Sequence, residues 1–129
     1  MLKQTAHDLV MAAKAQIREC SLQQAQQQLA TDQLLVLDVR EPDEYAAGHL
    51  AGAVNIPRGL LEFRLSGDPA LADVGRKVVV YCKSGGRSAM AAKVMQDMGY
   101  QDVQSMAGGF DAWAAAGLPL EQPRKLGFD

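Results

Sequence analysis

The chain has 129 residues, 48% hydrophobic and 22% charged, values that suit one folded domain with its own core and exclude a disordered chain. Its net charge of −2 argues against a general binder of nucleic acid or membrane surfaces. Two widely spaced cysteines, Cys20 and Cys82, make neither a disulfide framework nor a zinc site, so a reducing, cytoplasmic setting with no metal is expected.

The charge is uneven. Residues 1–75 carry six Lys/Arg against ten Asp/Glu, while residues 76–129 carry seven against five. That bias favours an anionic small ligand in the C-terminal half. Lys3, His7, Asp8, Lys14 and Arg18 interrupt the N-terminal segment, which therefore does not read as a signal peptide, and no apolar run is long enough for a membrane span.

Residues 1–20 read as an N-terminal helical extension. Ala6, Leu9, Val10, Ala13 and Ile17 follow helical spacing with Thr5 placed to cap, and Arg18–Cys20 suits a short strand with Cys20 buried. Ser21 and Gln24 form a capping box for a helix carrying Leu22, Ala25 and Leu29 on one face. Leu34–Val39 is an almost unbroken apolar run, as in a strand covered on both faces. "EPDEYAAG" follows as a short helix, with Pro42 at its first position and Gly48 at its end. "AVNIP" suits a second strand, "RGLLEFRL" a short helix and "SGDPALADVGRK" a loop. Lys77–Cys82 is another buried strand. Ser88–Met98 is a helix with Met90, Val94, Met95 and Met98 as its apolar set, ended by Gly99. "DVQSM" closes the strands, and "FDAWAAAGLP" is a final helix stopped by Gly117 and Pro119. Alternating strands and helices imply an α/β domain with a mainly parallel sheet over residues 21–122, then a C-terminal tail at 123–129.

Cys82 ends a predicted central strand, at the edge where parallel sheets bind ligands. Gly85 and Gly86 allow a sharp turn into the helix that follows, with Gly108 and Gly109 offering a second such turn. The small loop lets its N–H groups converge, the helix N-terminus adds orphan donors, and Lys83 and Arg87 add charge. These features favour a thiolate. The plainer alternative is a small core cysteine followed by an ordinary turn.

"LLVLDVREPDEYAAGHLAGAVNIP" (34–57), "VVVYCKSGGRS" (78–88) and "GYQDVQSMAGGFDAWAAAGLP" (99–119), in that order and spacing, resemble the segments of a single-domain rhodanese-like protein. The resemblance implies a three-layer α/β sandwich, with helices on both faces of the sheet, and a thiosulfate sulfurtransferase-type enzyme working through a persulfide. It places Cys82 on the catalytic cysteine and Lys83, Ser84, Gly85, Gly86, Arg87 and Ser88 on the persulfide-binding loop. The implied partners are a small anionic donor such as thiosulfate and a thiol, cyanide or protein acceptor, with no cofactor, no nucleic acid and no membrane. A monomer or weak homodimer is expected.

Asp38, Arg40 and Arg58 are candidate rim residues. Asp38 also reads as a buried hydrogen-bonding brace, and Arg40 as a salt-bridge partner or a rim cation. Trp113 and Tyr45 read as core aromatics, His49 as a turn residue and His7 as solvated. A cysteine phosphatase or arsenate reductase is a rival, but its loop holds five residues between cysteine and arginine, whereas four stand between Cys82 and Arg87. A non-enzymatic sulfur-relay or docking module, with residues 1–19 as its partner surface, is a second rival.

Overall fold

Strands buried on both faces need helices on both sides, and the alternating sequence supplies them. The computed structural model describes residues 1–31 and 33–122. In chain order the elements are α1 (Ala6–Lys14), β1 (Arg18–Cys20), α2 (Leu22–Thr31), β2 (Leu35–Asp38), α3 (Pro42–Ala47), β3 (Val54–Asn55), α4 (Leu61–Gly67), β4 (Val78–Tyr81), α5 (Gly86–Asp97), β5 (Val103–Met106) and α6 (Gly109–Ala115). The five strands form one sheet in the order β1-β5-β4-β2-β3, and every pairing is parallel.

Side-chain alternation divides the core in two. Leu35 and Leu37 of β2, with Val78 and Val80 of β4, pack with Leu61 and Leu65 of α4 and Ala91, Ala92 and Met95 of α5. Val36, Val79 and Tyr81 point the other way, toward Ala25 of α2 and Trp113 of α6. Val78, Val79 and Val80 are fully buried, each contributing roughly 1.5–3 kcal/mol. β4 is therefore the anchored centre of the sheet, and whatever follows it is held by a rigid strand.

Local signals set most helix starts. Thr5 and Asp8 exchange side-chain-to-backbone bonds at the start of α1, and Ser21 and Gln24 do the same at α2. Pro42 opens α3, where the Glu44 carboxylate accepts the Glu41 N–H at 2.9 Å.

Several expectations are corrected. α5 begins at Gly86, two residues before Ser88. Its deeply buried face is made of Ser88, Ala89, Ala91, Ala92 and Met95, whereas Met90 and Val94 are half-buried and Met98 is exposed. The reason is tertiary: α5 lies between the sheet and α1, so it needs small residues toward the sheet and larger ones toward α1. "RGLLEFRL" splits into a 3-10 turn at Arg58–Leu60 and α4, and the expected loop contains a 3-10 turn at Pro69–Leu71. Other expectations hold: Arg18–Cys20 is a strand, pairing with β5 at the edge of the same sheet, and the apolar stripe of α1 packs on its own domain, against α5. The expected tail at 123–129 lies outside the described residues.

Candidate active site

β2 and β4 are neighbours, but their chains leave toward opposite faces. After β2 the chain passes into α3, whose Tyr45 packs beside Trp113. After β4 it passes into α5, which packs against Val80. That divergence is the switch point at which open parallel sheets form a crevice. Cys82 sits there, immediately after β4.

Cys82 is 1% exposed, and backbone amides converge on its sulfur. The Gly85 N–H donates to Sγ at 3.1 Å and the Ser88 N–H at 3.3 Å. The Ser88 hydroxyl is 3.5 Å from Sγ. Burial alone pushes the Cys82 thiol up. The Ser88 hydroxyl and the amides of Ser88, Gly85 and Ser84 outweigh it, holding the thiol below its ordinary value. Cys20 provides the contrast: buried without such a ring, it is pushed up to about 11.

Gly85 has φ +112°, so the turn needs glycine there, while Gly86 is already helical and lies against Val10 of α1. The Gly86 and Arg87 amides lie in the first turn of α5 and have no helical acceptor. The loop's outer side is pinned by α6, where the Phe110 N–H donates to the Cys82 carbonyl at 2.7 Å and the Asp111 N–H to the Lys83 carbonyl at 3.0 Å. With those carbonyls turned toward α6, the loop's N–H groups are free to face the sulfur.

The loop cations are not bare. Lys83 is exposed and pairs with Asp111 at 3.1 Å. Arg87 grips Glu44 of α3 with two nitrogens, at 2.7 and 3.1 Å. That pair holds the Glu44 carboxyl down to about 2 and raises the Arg87 guanidinium. Ser84 is exposed and Ser88 is fully buried.

Asp38 and Arg40 are not rim residues. Their side chains are 0% and 4% exposed and pair at 2.8 Å, and Arg40 also donates to the Gly48 carbonyl at 2.7 Å and stacks 4.1 Å above the Phe110 ring. They brace α3 and α6 against the sheet. Arg58 faces the groove between α1 and α5 and pairs with Glu62 at 2.7 Å. His49, expected as a turn residue, is buried and stacked on Tyr45 at 3.7 Å. Its Nδ1 meets the Tyr45 carbonyl and its Nε2 meets Glu121, so neither nitrogen serves Cys82 as a base.

Sequence reasoning missed Ser105 and Glu44. The Ser105 hydroxyl lies 2.8 Å from that of Ser88 and is fully buried. Its signal was a lone small polar residue inside the last strand, at a position facing the same side as Val103.

The rhodanese-like domain family matches residues 21–116. A sulfurtransferase of Allochromatium vinosum is 37% identical over 108 residues, covering 83% of this chain and 97% of that one. The chloroplastic thiosulfate sulfurtransferase 16 of Arabidopsis thaliana is 37% identical over 93 residues, covering 66% of this chain and 78% of that one. Among solved structures, a Rhodopseudomonas palustris protein of unknown function, described as a possible tyrosine phosphatase, superposes with a TM-score of 0.84 at 32% identity, covering 94% of this chain and 97% of that one. A buried, amide-ringed cysteine thus stands at the switch point of a chain that belongs to the rhodanese-like domain family.

Proposed function

We propose that the protein transfers a sulfane sulfur from a small anionic donor such as thiosulfate to a thiol, cyanide or protein acceptor, through a persulfide on Cys82. The carrying observation is the pair of backbone amides, from Gly85 and Ser88, that donate to one buried sulfur, with the Ser88 hydroxyl 3.5 Å away. The Cys82 thiolate attacks the outer sulfur of thiosulfate, the sulfur–sulfur bond breaks, and sulfite leaves with its electron pair. One negative charge stays on the terminal sulfur of the persulfide, and the Gly86 and Arg87 amides are the donors offered to it. The acceptor then attacks that sulfur and the Cys82 thiolate returns, which gives ping-pong kinetics. Donors built into a helix start need no rearrangement as charge passes between sulfurs. No step calls for a cofactor, and two free cysteines suit a reducing cytoplasm.

The phosphatase reading has a structural neighbour's description behind it. Loop length and the arginine favour sulfur instead. Four residues between Cys82 and Arg87 make a tighter ring than an oxyanion needs, and the Arg87 guanidinium is turned onto Glu44. The relay reading shares the persulfide and differs in its acceptor.

The test is intact mass. Reduced protein incubated with thiosulfate should gain one sulfur atom and lose it again on adding cyanide, and Cys82→Ser should gain none. A gain that survives in Cys82→Ser, or Cys82-dependent turnover of an aryl phosphate, overturns the proposal.

A further inference from the structure

An ion pair links the helices that follow β2 and β4, beside Cys82. Arg87 comes from the start of α5, on one face of the sheet, and Glu44 from α3, on the other. Their side chains are 37% and 30% exposed, so the pair stands at the mouth rather than in the core. Arg87 also feels the charge on Cys82, with Glu44 and Glu41 as further anions around it. A guanidinium with both forks on a carboxylate has little left for an incoming oxyanion.

We propose that Glu44 is a specificity-determining residue that occupies Arg87 and so sets how much negative charge a sulfur donor can bring to Cys82. The inference rests on the sulfur-transfer reading and names what regulates donor choice at that site. A dianionic donor must compete with Glu44 for the guanidinium and is repelled by the carboxylate it displaces. A donor without charge at the reacting end meets neither cost. Lys83 does not compensate, because it is paired with Asp111 at 3.1 Å.

Glu44→Gln separates this role from a structural one. The Gln side-chain oxygen can still accept the Glu41 N–H that starts α3, but it carries no charge to hold the guanidinium. Two probes of nearly equal size, iodoacetate and iodoacetamide, differ by one negative charge, and their rates at Cys82 can be read by peptide mass without any turnover. Cys20, buried and pushed up to about 11, is resolved on a separate peptide.

The iodoacetate-to-iodoacetamide rate ratio should rise roughly threefold to tenfold in Glu44→Gln, the scale of one charge at a partly exposed pair. The KM for thiosulfate should fall by a similar factor with kcat unchanged, because Glu44 touches no reacting atom. Arg87→Gln, which leaves Glu44 bare, should move the ratio below that of the native protein. A ratio that stays put or falls in Glu44→Gln, or that does not fall in Arg87→Gln, overturns the proposal. If thiosulfate loads no sulfur on the native protein, the sulfur-transfer reading fails, and the alkylation ratios still decide whether Glu44 controls the charge at the mouth.

Discussion

The Ser105 hydroxyl, on β5, lies 2.8 Å from the Ser88 hydroxyl, which in turn lies 3.5 Å from the Cys82 sulfur. All three residues are buried, so the relay carries no water-exposed group. When Ser105 donates to Ser88, the Ser88 proton is free to turn toward the sulfur. Without Ser105, the Gly85 carbonyl, 3.2 Å from the Ser88 oxygen, competes for that proton. Ser105→Ala should therefore move the midpoint of Cys82 alkylation to higher pH and slow persulfide formation at neutral pH several-fold. Its cost in stability should stay near ~1 kcal/mol, the net value of one hydrogen bond. An unmoved midpoint would show that Ser105 plays no part in the ionisation.

The depressed Cys82 ionisation also appears in stability. A thiol held below its unfolded value stabilises the native state fully above the unfolded value of about 8.5, and this contribution is lost as pH falls through the folded value. Urea denaturation of the reduced native protein and of Cys82→Ser, compared from pH 6 to about pH 9, should give a difference that grows in favour of the native protein as pH rises. A flat or shrinking difference would contradict the donor ring.

Gly109 tests how tightly α6 is seated. A Cβ there would lie 2.5 Å from the Cys82 carbonyl oxygen and 2.6 Å from that of Lys83, on a backbone with φ +60°. Gly109→Ala should cost about 3 kcal/mol or more and lower sulfur transfer, because the loop must shift. Gly117→Ala, at φ +71° with open space around it, should cost about 1–2 kcal/mol and spare activity. Equal costs in a denaturant series would remove the argument for close approach.

The Asp38–Arg40 pair should behave as a buried brace. Arg40→Met leaves Asp38 uncompensated at full burial and should cost about 3–5 kcal/mol. Replacing both, Asp38→Leu with Arg40→Met, should cost less than the two single changes added. A near-neutral single change would show that the carboxylate finds other partners. Thermal and urea unfolding of the three variants decide it.

Much of this fold was legible because its signals are local. Thr5 with Asp8 and Ser21 with Gln24 cap their helices through residues three apart, and the unbroken valines of β4 announce a strand covered on both sides. Cys82, Gly85 and Ser88 stand close enough in the chain for their convergence to follow from a strand–turn–helix alone. The alanine face of α5 was harder to read, since a helix packed between a sheet and another helix has no single apolar stripe.

The chain by itself determined the alternating elements, the parallel sheet and the cysteine loop, because caps, turns and buried strands depend on neighbours a few residues away. What the tertiary structure alone decided is the electrical character of the mouth. Glu44 and Arg87 lie 43 residues apart, Lys83 and Asp111 lie 28 apart, and Ser88 and Ser105 lie 17 apart. Charges and hydroxyls act through space, so their partners are known only once β2, β4 and β5 have set their helices side by side.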